Sequence, residues 1–503
     1  MVNILISGYY GFDNIGDESI LRTLVSSLRE HIPDCSLTVL SHNPASTREK
    51  YGVEAVDRMS PMAILRAVKK CDMLISGGGS LLQDVTSSKS LHYYLSIIRC
   101  AEFFHKKVFI YSQGIGPIDR PGNRRAAAAA LKRADGIVVR DERSASLLEE
   151  IGIARDKVVI TADPVIRMKK PDGDVGAEIL RKAGVSLDGR LTVGWAIRER
   201  DTDSRFVKEL LRSVQMMKEK YNAQSVLIPF HYEEDGEVCR HIAAQLPDDT
   251  AVCLNEKYLS EDMLSIIGNM DLLVGVRLHS LIYAAIMGVP LIGISYDPKC
   301  TAFLNSVGLD KLSTKENFTA ELFLPEAERV LETGKEQVQC VEAHMAKLSR
   351  KLDTNEKMIC AIMEKSRKHT MQDPQNNTEK KDKSGVRTAG AISFVFLLTL
   401  FAKLLGVVRE MMQANIFGTG IDADLYTASY NSTLYLFTTM CYALCIAAVP
   451  ILTKEFAADR KRGEKAANNL LTITLLGSLA AVVLWQVFAS TPLVGTIWDL
   501  DAA

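Results

Sequence analysis

The sequence has no excess of either charge. Its 503 residues carry 60 Lys and Arg against 61 Asp and Glu, a net charge of −1. That balance gives no support to a general nucleic-acid binder, which needs a basic footprint. No Cys-x-x-Cys pair occurs among the 10 cysteines. The two nearest, Cys441 and Cys445, fall inside an apolar run. The cysteines therefore read as reduced cytosolic thiols, and no zinc site is expected. No basic stretch followed by a long apolar one opens the chain, so no signal peptide is expected. The glycine-rich stretch after the first apolar run, GYYGFDNIGDES, lacks G-x-G-x-x-G and lacks the terminal GK[ST] of a P-loop. It fits neither nucleotide template.

What is present is 47% hydrophobic and 24% charged residues, enough to bury a sizeable core, over a length too great for one ordinary domain. Composition changes sharply toward the end. Residues 366–387, SRKHTMQDPQNNTEKKDKSGVR, have almost nothing to bury and read as a linker. Three long apolar runs follow, at about 388–408, 425–452 and 468–490; the first has one charge, Lys403. Each is near or above the ~20 residues that cross a bilayer as a helix. Lys and Arg cluster before the first run and between the second and third, while the loop MQANIFGTGIDAD has neither. The positive-inside rule then places the large N-terminal part on the cytoplasmic side of a cell membrane.

Before the linker, apolar β-branched runs alternate with amphipathic stretches. Strands are predicted at 3–7, 37–41, 72–76, 108–112, 136–140 and 157–160, and helices at 17–30 and 90–105 among others. ADPVIRMKKPDGD at 162–174 breaks the pattern and reads as a connection. Strands resume at 191–197, 224–230, 271–276 and 290–295, and 318–366 looks helical. This predicts an α/β chain with two Rossmann-like domains, 1–165 and 166–365, facing each other across a cleft. Ligands of such folds sit at the carboxyl ends of the strands. The unusual motifs all fall there: GYYGFDNIGDE, GGGSLLQD, SQGIGPI, Arg198 after GWAI, HYEED, and RLHS.

Asp17 is well placed to cap the helix that begins in the opening loop, and Glu18 is read as structural. Asp13, Asn14 and Asp17 can instead accept hydrogen bonds from sugar hydroxyls, or one can act as a base. Carboxylates and amides suit a polyol and repel phosphate. Gly77, Gly78 and Gly79 lead into an uncharged helix start, which leaves N–H groups free for an anion. A tight strand-to-helix turn explains them equally well. Gln113 and Gly114 carry a weaker version of the same argument. Arg277 and His279, with Leu278 between them, stand at a strand end. An Arg can grip a carboxylate or phosphate with two prongs, and a His near neutral pKa can move a proton. His231 is expected to be structural or peripheral. Glu233, Glu234 or Asp235 could hold a ribose if a nucleotide sugar were the donor.

Taken together, GYYGFDNIGDESIL, GGGSLLQD, SQGIGPI, ADP at 162–164, RLHSLIYAA and ISYDPK resemble the polysaccharide pyruvyl transferases, most closely the CsaB type, over about residues 1–365. The resemblance implies a GT-B-like arrangement, phosphoenolpyruvate as donor, and a lipid-linked cell-wall sugar as acceptor, usually N-acetylmannosamine. It implies donor binding by Arg198 and Arg277 and catalysis by His279, with no cofactor and no metal. The opening loop would face the acceptor, and membrane lipid would be a further partner. Residues 388–503 resemble the start of the MurJ/MviN lipid II flippases, through FAKLLGVVREMMQANIFGTGIDADLYTAS with Arg409 and Asp424. Lys403 stands where that family usually has Arg, and three spans are too few to enclose its cavity.

Overall fold

The computed structural model describes residues 2–85, 87–371, 466–469 and 472, the side chains of 366–371 excepted. The chain separates into two compact units, Met1–Pro374 and Gln375–Ala503. The second is described only at 466–469 and 472, which are helical. The predicted linker and the three predicted membrane spans otherwise lie outside the described residues. Among the described residues no helix is long and apolar enough to cross a membrane.

Two all-parallel sheets build the first unit. One has seven strands: β1 (Val2–Tyr10), β2 (Cys35–Ser41), β3 (Glu54–Asp57), β4 (Met73–Ser76), β5 (Lys107–Gln113), β6 (Gly136–Val139) and β7 (Val158–Ile160). Their order is β3-β2-β1-β4-β5-β6-β7. The other has six: β8 (Thr192–Ala196), β9 (Gln224–Leu227), β10 (Ala251–Cys253), β11 (Leu272–Gly275), β12 (Leu291–Ser295) and β13 (Ser313–Thr314). Their order is β10-β9-β8-β11-β12-β13. Both are doubly wound. The central strands are buried on both faces, as a parallel sheet covered by helices requires, and so read as near-continuous apolar runs.

Strand order reverses between β1 and β4 in the first sheet and between β8 and β11 in the second. At such a switch point the connecting helices leave on opposite faces and open a crevice. The loops after these four strands are the ones that carry GYYGFDN, GGGS, Arg198 and Arg277.

The lobes share a hydrophobic interface. Ile15 and Ile20, from the first helix (Ile15–His31), join the core cluster of the second lobe. The backbone N–H of Ile15 donates to the Phe230 carbonyl at 3.3 Å, and Asn14 pairs with His231. The long helix Ala320–Met371 begins against the second sheet, where Phe323 meets Trp195. It ends against the first, where Ile359 and Met363 pack with Phe109 and Tyr111.

Candidate active site

Arg277 ends the strand segment after β11 and precedes the helix Leu278–Met287. Its guanidinium pairs with the buried Asp235 carboxylate and lies 3.7 Å from Glu234. Asp235 also accepts from the His231 backbone N–H at 2.9 Å. One carboxylate thus anchors the arginine and ties down the start of the helix Tyr232–Gln245. His231 caps that helix, its Nδ1 accepting from Glu234 N–H at 3.2 Å, the structural role expected for it. Arg198 extends from the end of β8 and donates to the Tyr296 hydroxyl, with its guanidinium carbon 4.6 Å from the Tyr296 ring centroid.

His279 lies one residue beyond Leu278, in the first turn of its helix. Its Nε2 is buried without a hydrogen bond among the described residues and stands 3.8 Å from Asp163 Oδ2. Asp163 belongs to the first lobe, and Arg140 donates to the same oxygen at 3.0 Å. Arg140 also donates to Ser80 Oγ at 3.0 Å. The other side of the imidazole rests on Gly16: a Cβ there would stand 2.1 Å from His279 Nδ1. Burial first, then the nearby Arg140, Lys299 and Arg277 charges, lower the His279 pKa from 6.5 to about 4, with Asp163 opposing. The ring is therefore neutral at pH 7.

Asp17 shows the opposite shift. Burial raises its pKa to about 7; Glu18 and Asp163 add to this, and Lys299 and Arg140 oppose it. No hydrogen bond satisfies its carboxyl among the described residues, and it lies against Gly79, where a Cβ would stand 3.0 Å from Oδ1. Asn14, Asp17 and Arg140 from one lobe and Arg198, Arg277 and His279 from the other line a single cavity of about 670 Å³. That size falls in the range of roughly 300–1,000 Å³ usual for small-molecule sites. Lys299 and Arg143 also border it. A cavity with this many cationic groups suits a small, multiply charged anion.

The structure brings Arg198, Arg277, Leu278, His279, Asn14, Asp17 and Gly79 together as the motifs suggested, and corrects several details. Asn14, not Asp17, caps the first helix, accepting from Gly16 N–H at 3.2 Å; Asp17 is left free to face the cavity. Asp13 is not at that wall. Its carboxylate pairs with Lys50 at 3.1 Å and Lys257 at 3.2 Å and lines a separate pocket of about 240 Å³. Glu18 is structural, accepting from Gly11 N–H at 2.8 Å and from the Tyr51 hydroxyl. The three glycines do not open a helix, since the next one starts at Ser88. Gly77 and Gly78 are packing positions: a Cβ would meet the Tyr10 hydroxyl at 2.2 Å or Ile20 at 2.9 Å. Gln113 holds strand ends together through Ser76 Oγ and the Gly77 carbonyl, both at 2.7 Å.

Arg140, Asp163 and Lys299 were not singled out by residue chemistry. Arg140 directly follows β6 on the same sheet edge, which could have flagged it. Asp163 and Lys299 sit inside ADP and ISYDPK, motifs that carried the family resemblance without an assigned role.

Comparison with known proteins decides the family. The model of the family described as polysaccharide pyruvyl transferase matches residues 14–298, more than half of the chain. The chain belongs to the polysaccharide pyruvyl transferase family. The matched stretch runs from the Asn14 cap to Pro298, beside Lys299, and so spans most of the cavity wall. It does not reach 388–503, so the flippase resemblance there gains no support. Among curated proteins, this pyruvyl transferase family member is similar to the amylovoran biosynthesis protein AmsJ of Erwinia amylovora. The two are 21% identical over 369 residues, 62% of this chain and 88% of that one. Among solved structures it is similar to Anabaena Alr3699/HepE in complex with UDP-glucose, at TM-score 0.52 and 10% identity over 73% of this chain and 100% of that one. The UDP complex of the same protein gives TM-score 0.51 at the same identity and coverage. This likeness is one of fold: two parallel-sheet α/β domains in the GT-B manner.

Proposed function

We propose that the chain transfers the enolpyruvyl group of phosphoenolpyruvate to two hydroxyls of a saccharide, forming a cyclic pyruvate ketal and releasing phosphate. The observation that carries this reading is one cavity in which Arg198, Arg277 and His279 face Asn14 and Asp17 from the opposite lobe. The arginines, with Lys299, would hold the donor's carboxylate and phosphate. A bound dianion offsets the positive charges that help depress the His279 pKa, so the ring takes a proton as the donor arrives. That proton goes to the donor's methylene carbon, and the adjacent carbon becomes electrophilic. One sugar hydroxyl attacks it, giving its proton to the Asp17 carboxylate, which returns it to solvent. The C–O bond to phosphate breaks, and the second hydroxyl closes the ketal while its proton leaves with phosphate. Protons taken up and released balance.

The acceptor we favour is a lipid-linked cell-wall sugar, N-acetylmannosamine by the family resemblance, with the apolar runs of 388–503 holding the enzyme at the cytoplasmic face of the membrane. A nucleotide-sugar donor is less well served. Of the carboxylates that could grip ribose, Asp235 is committed to Arg277 and the His231 N–H, Glu234 pairs with Arg200 at 2.7 Å, and the exposed Glu233 stands 3.7 Å from Lys257.

The test incubates the full chain with phosphoenolpyruvate and N-acetylmannosamine glycosides. Released phosphate is assayed, and mass spectrometry looks for acceptor mass increased by pyruvate less water. Parallel tubes receive UDP-glucose. Acceptor-dependent phosphate with the matching mass supports the proposal; UDP release and a hexose added to the acceptor would replace it.

A further inference from the structure

The opening loop builds a feature that the donor pocket does not use. Tyr9 and Phe12 stack with ring centroids 4.1 Å apart and planes within 6° of parallel. Phe12 and His42 continue the stack at 4.4 Å and 5°. The buried Arg58 braces it from the side, its guanidinium carbon 5.8 Å from the Tyr9 centroid and 5.1 Å from that of Phe12. Arg58 is itself held by the Gly8 carbonyl at 2.9 Å and the Tyr94 hydroxyl at 3.2 Å. Three aligned rings, from the end of β1, the loop after it and the loop after β2, are thereby fixed in place.

Folding alone does not call for this arrangement. Phe12 is only half-buried and belongs to none of the core clusters, and His42 is exposed. The location is informative. Tyr9 and Tyr94 border the 670 Å³ cavity, and the stack runs from Tyr9 outward to His42 in solvent. Burial first, then the Asp17 and Glu234 charges, raise the Tyr9 pKa, which sets its phenol among the groups of the interlobe wall. The stack is therefore continuous with the side of the cavity where Asp17 lies.

We propose that the Tyr9–Phe12–His42 stack is a saccharide subsite, taking the apolar C–H face of a sugar ring next to the one that reacts. This rests on the saccharide acceptor proposed above. A pyranose has one face rich in C–H groups and no charge, so the cationic pocket has little hold on it. Within the stack both faces of Phe12 are covered by Tyr9 and His42, so the ring faces offered to that surface are the outer ones of Tyr9, on the cavity wall, and of His42, in solvent. Rings already fixed by Arg58 lose little freedom on binding, which favours affinity. The subsite makes the enzyme select for acceptors longer than one sugar.

The test is saturation-transfer NMR on the full chain, without donor, using chitotriose and lactose as probes. Wild type is compared with Phe12→Leu and with His42→Ala; the latter changes an exposed side chain and leaves the core intact. Phosphoenolpyruvate binding is followed in parallel by calorimetry. Wild type should saturate the probes' ring protons. His42→Ala, which removes an outer face, and Phe12→Leu, which removes the ring that holds both outer rings in place, should each cut the signal at least twofold, with phosphoenolpyruvate affinity within twofold of wild type. No signal in wild type, or equal signal in all three proteins, overturns the subsite. Saccharide binding that depends on Phe12, in a protein that neither binds nor turns over phosphoenolpyruvate, would overturn the proposed reaction and leave the subsite standing.

Discussion

At His279 the proposed chemistry turns on a proton that the ring does not hold at pH 7. Folding lowers this pKa from 6.5 to about 4, so the folded state favours the neutral ring. The resulting stability is present above about pH 6.5 and is lost as pH falls toward 4. His279→Gln should remove that acid lability, leaving the variant on the order of 2 kcal/mol less destabilised than wild type between pH 7 and pH 4 in chemical denaturation. The same linkage predicts that phosphoenolpyruvate binding at pH 6.5 takes up a fraction of a proton. Calorimetry in two buffers of different ionisation enthalpy would read the uptake, which should vanish in His279→Gln. Uptake that survives there and disappears in Asp17→Asn would assign the proton to the carboxyl instead. Asp17 runs with the opposite sign: its pKa is raised from 3.8 to about 7, so its cost to stability grows as pH rises through that interval. Asp17→Asn should therefore raise the unfolding free energy at pH 7.5, by at least about 1 kcal/mol, while kcat falls roughly 10²–10⁴-fold if it receives the hydroxyl proton. A variant that is both stabilised and fully active would remove Asp17 from the mechanism.

At the scale of elements, the first turn of the helix Ile15–His31 sets the imidazole's position through an absence. Gly16 has no side chain, and a Cβ there would reach to 2.1 Å from His279 Nδ1. Alanine suits a helix better than glycine by up to about 1 kcal/mol, against roughly 1–3 kcal/mol for crowding a buried ring, so Gly16→Ala should lower stability by no more than about 2 kcal/mol. It should still push the ring by about an ångström, a displacement that can cost on the order of 10²-fold in rate. Steady-state kinetics beside a melting curve would check this; kcat within twofold of wild type would show that the ring's placement tolerates the shift. Sequence alone could not single out this glycine, because its partner is 263 positions away on another lobe. What it could reveal were the central strands. β1, β4, β8, β11 and β12 are buried on both faces and read as apolar runs, and the site motifs follow four of them. The strands β3, β10 and β13 went unread. They are 4, 3 and 2 residues long and lie at or near sheet edges, where one-sided burial leaves little pattern. The expected helix start after Gly79 failed because Gln113 and the glycines knit two strand ends together before the chain turns into a helix. Asp13 failed as a cavity residue because two lysines, one from each lobe, claim its carboxylate.

At the scale of the whole catalytic unit, the site exists only while two lobes stay in register, and their ties differ greatly in strength. The pair between Asp13 and Lys257 crosses the lobes at 3.2 Å with the lysine side chain 50% exposed. An exposed pair of this kind is worth at most about 1 kcal/mol. The tie at the end of the long helix is of another kind. Glu356 is buried, accepting from Ser27 Oγ at 2.6 Å and the Tyr111 hydroxyl at 3.0 Å, with Arg167 at 3.4 Å. Beside it Asn355 donates to Ser112 Oγ at 2.8 Å. These bonds fasten a helix that begins on the second lobe to the sheet of the first. Removing one partner of such a network strands the others away from water, at a cost of roughly 3–5 kcal/mol. Glu356→Ala should lower unfolding free energy by that order, and Glu356→Gln, which keeps an acceptor oxygen, by less. Lys257→Ala should leave it almost unchanged. Because Arg277 and His279 ride on one lobe and Arg140, Asp163 and Asp17 on the other, the loss should reach function as well. Below its melting range, Glu356→Ala should show weakened phosphoenolpyruvate binding although the mutated residue touches no part of the cavity. Equal donor affinity in the three variants would mean that the interface around Ile15 and Ile20 holds the lobes in place without the long helix.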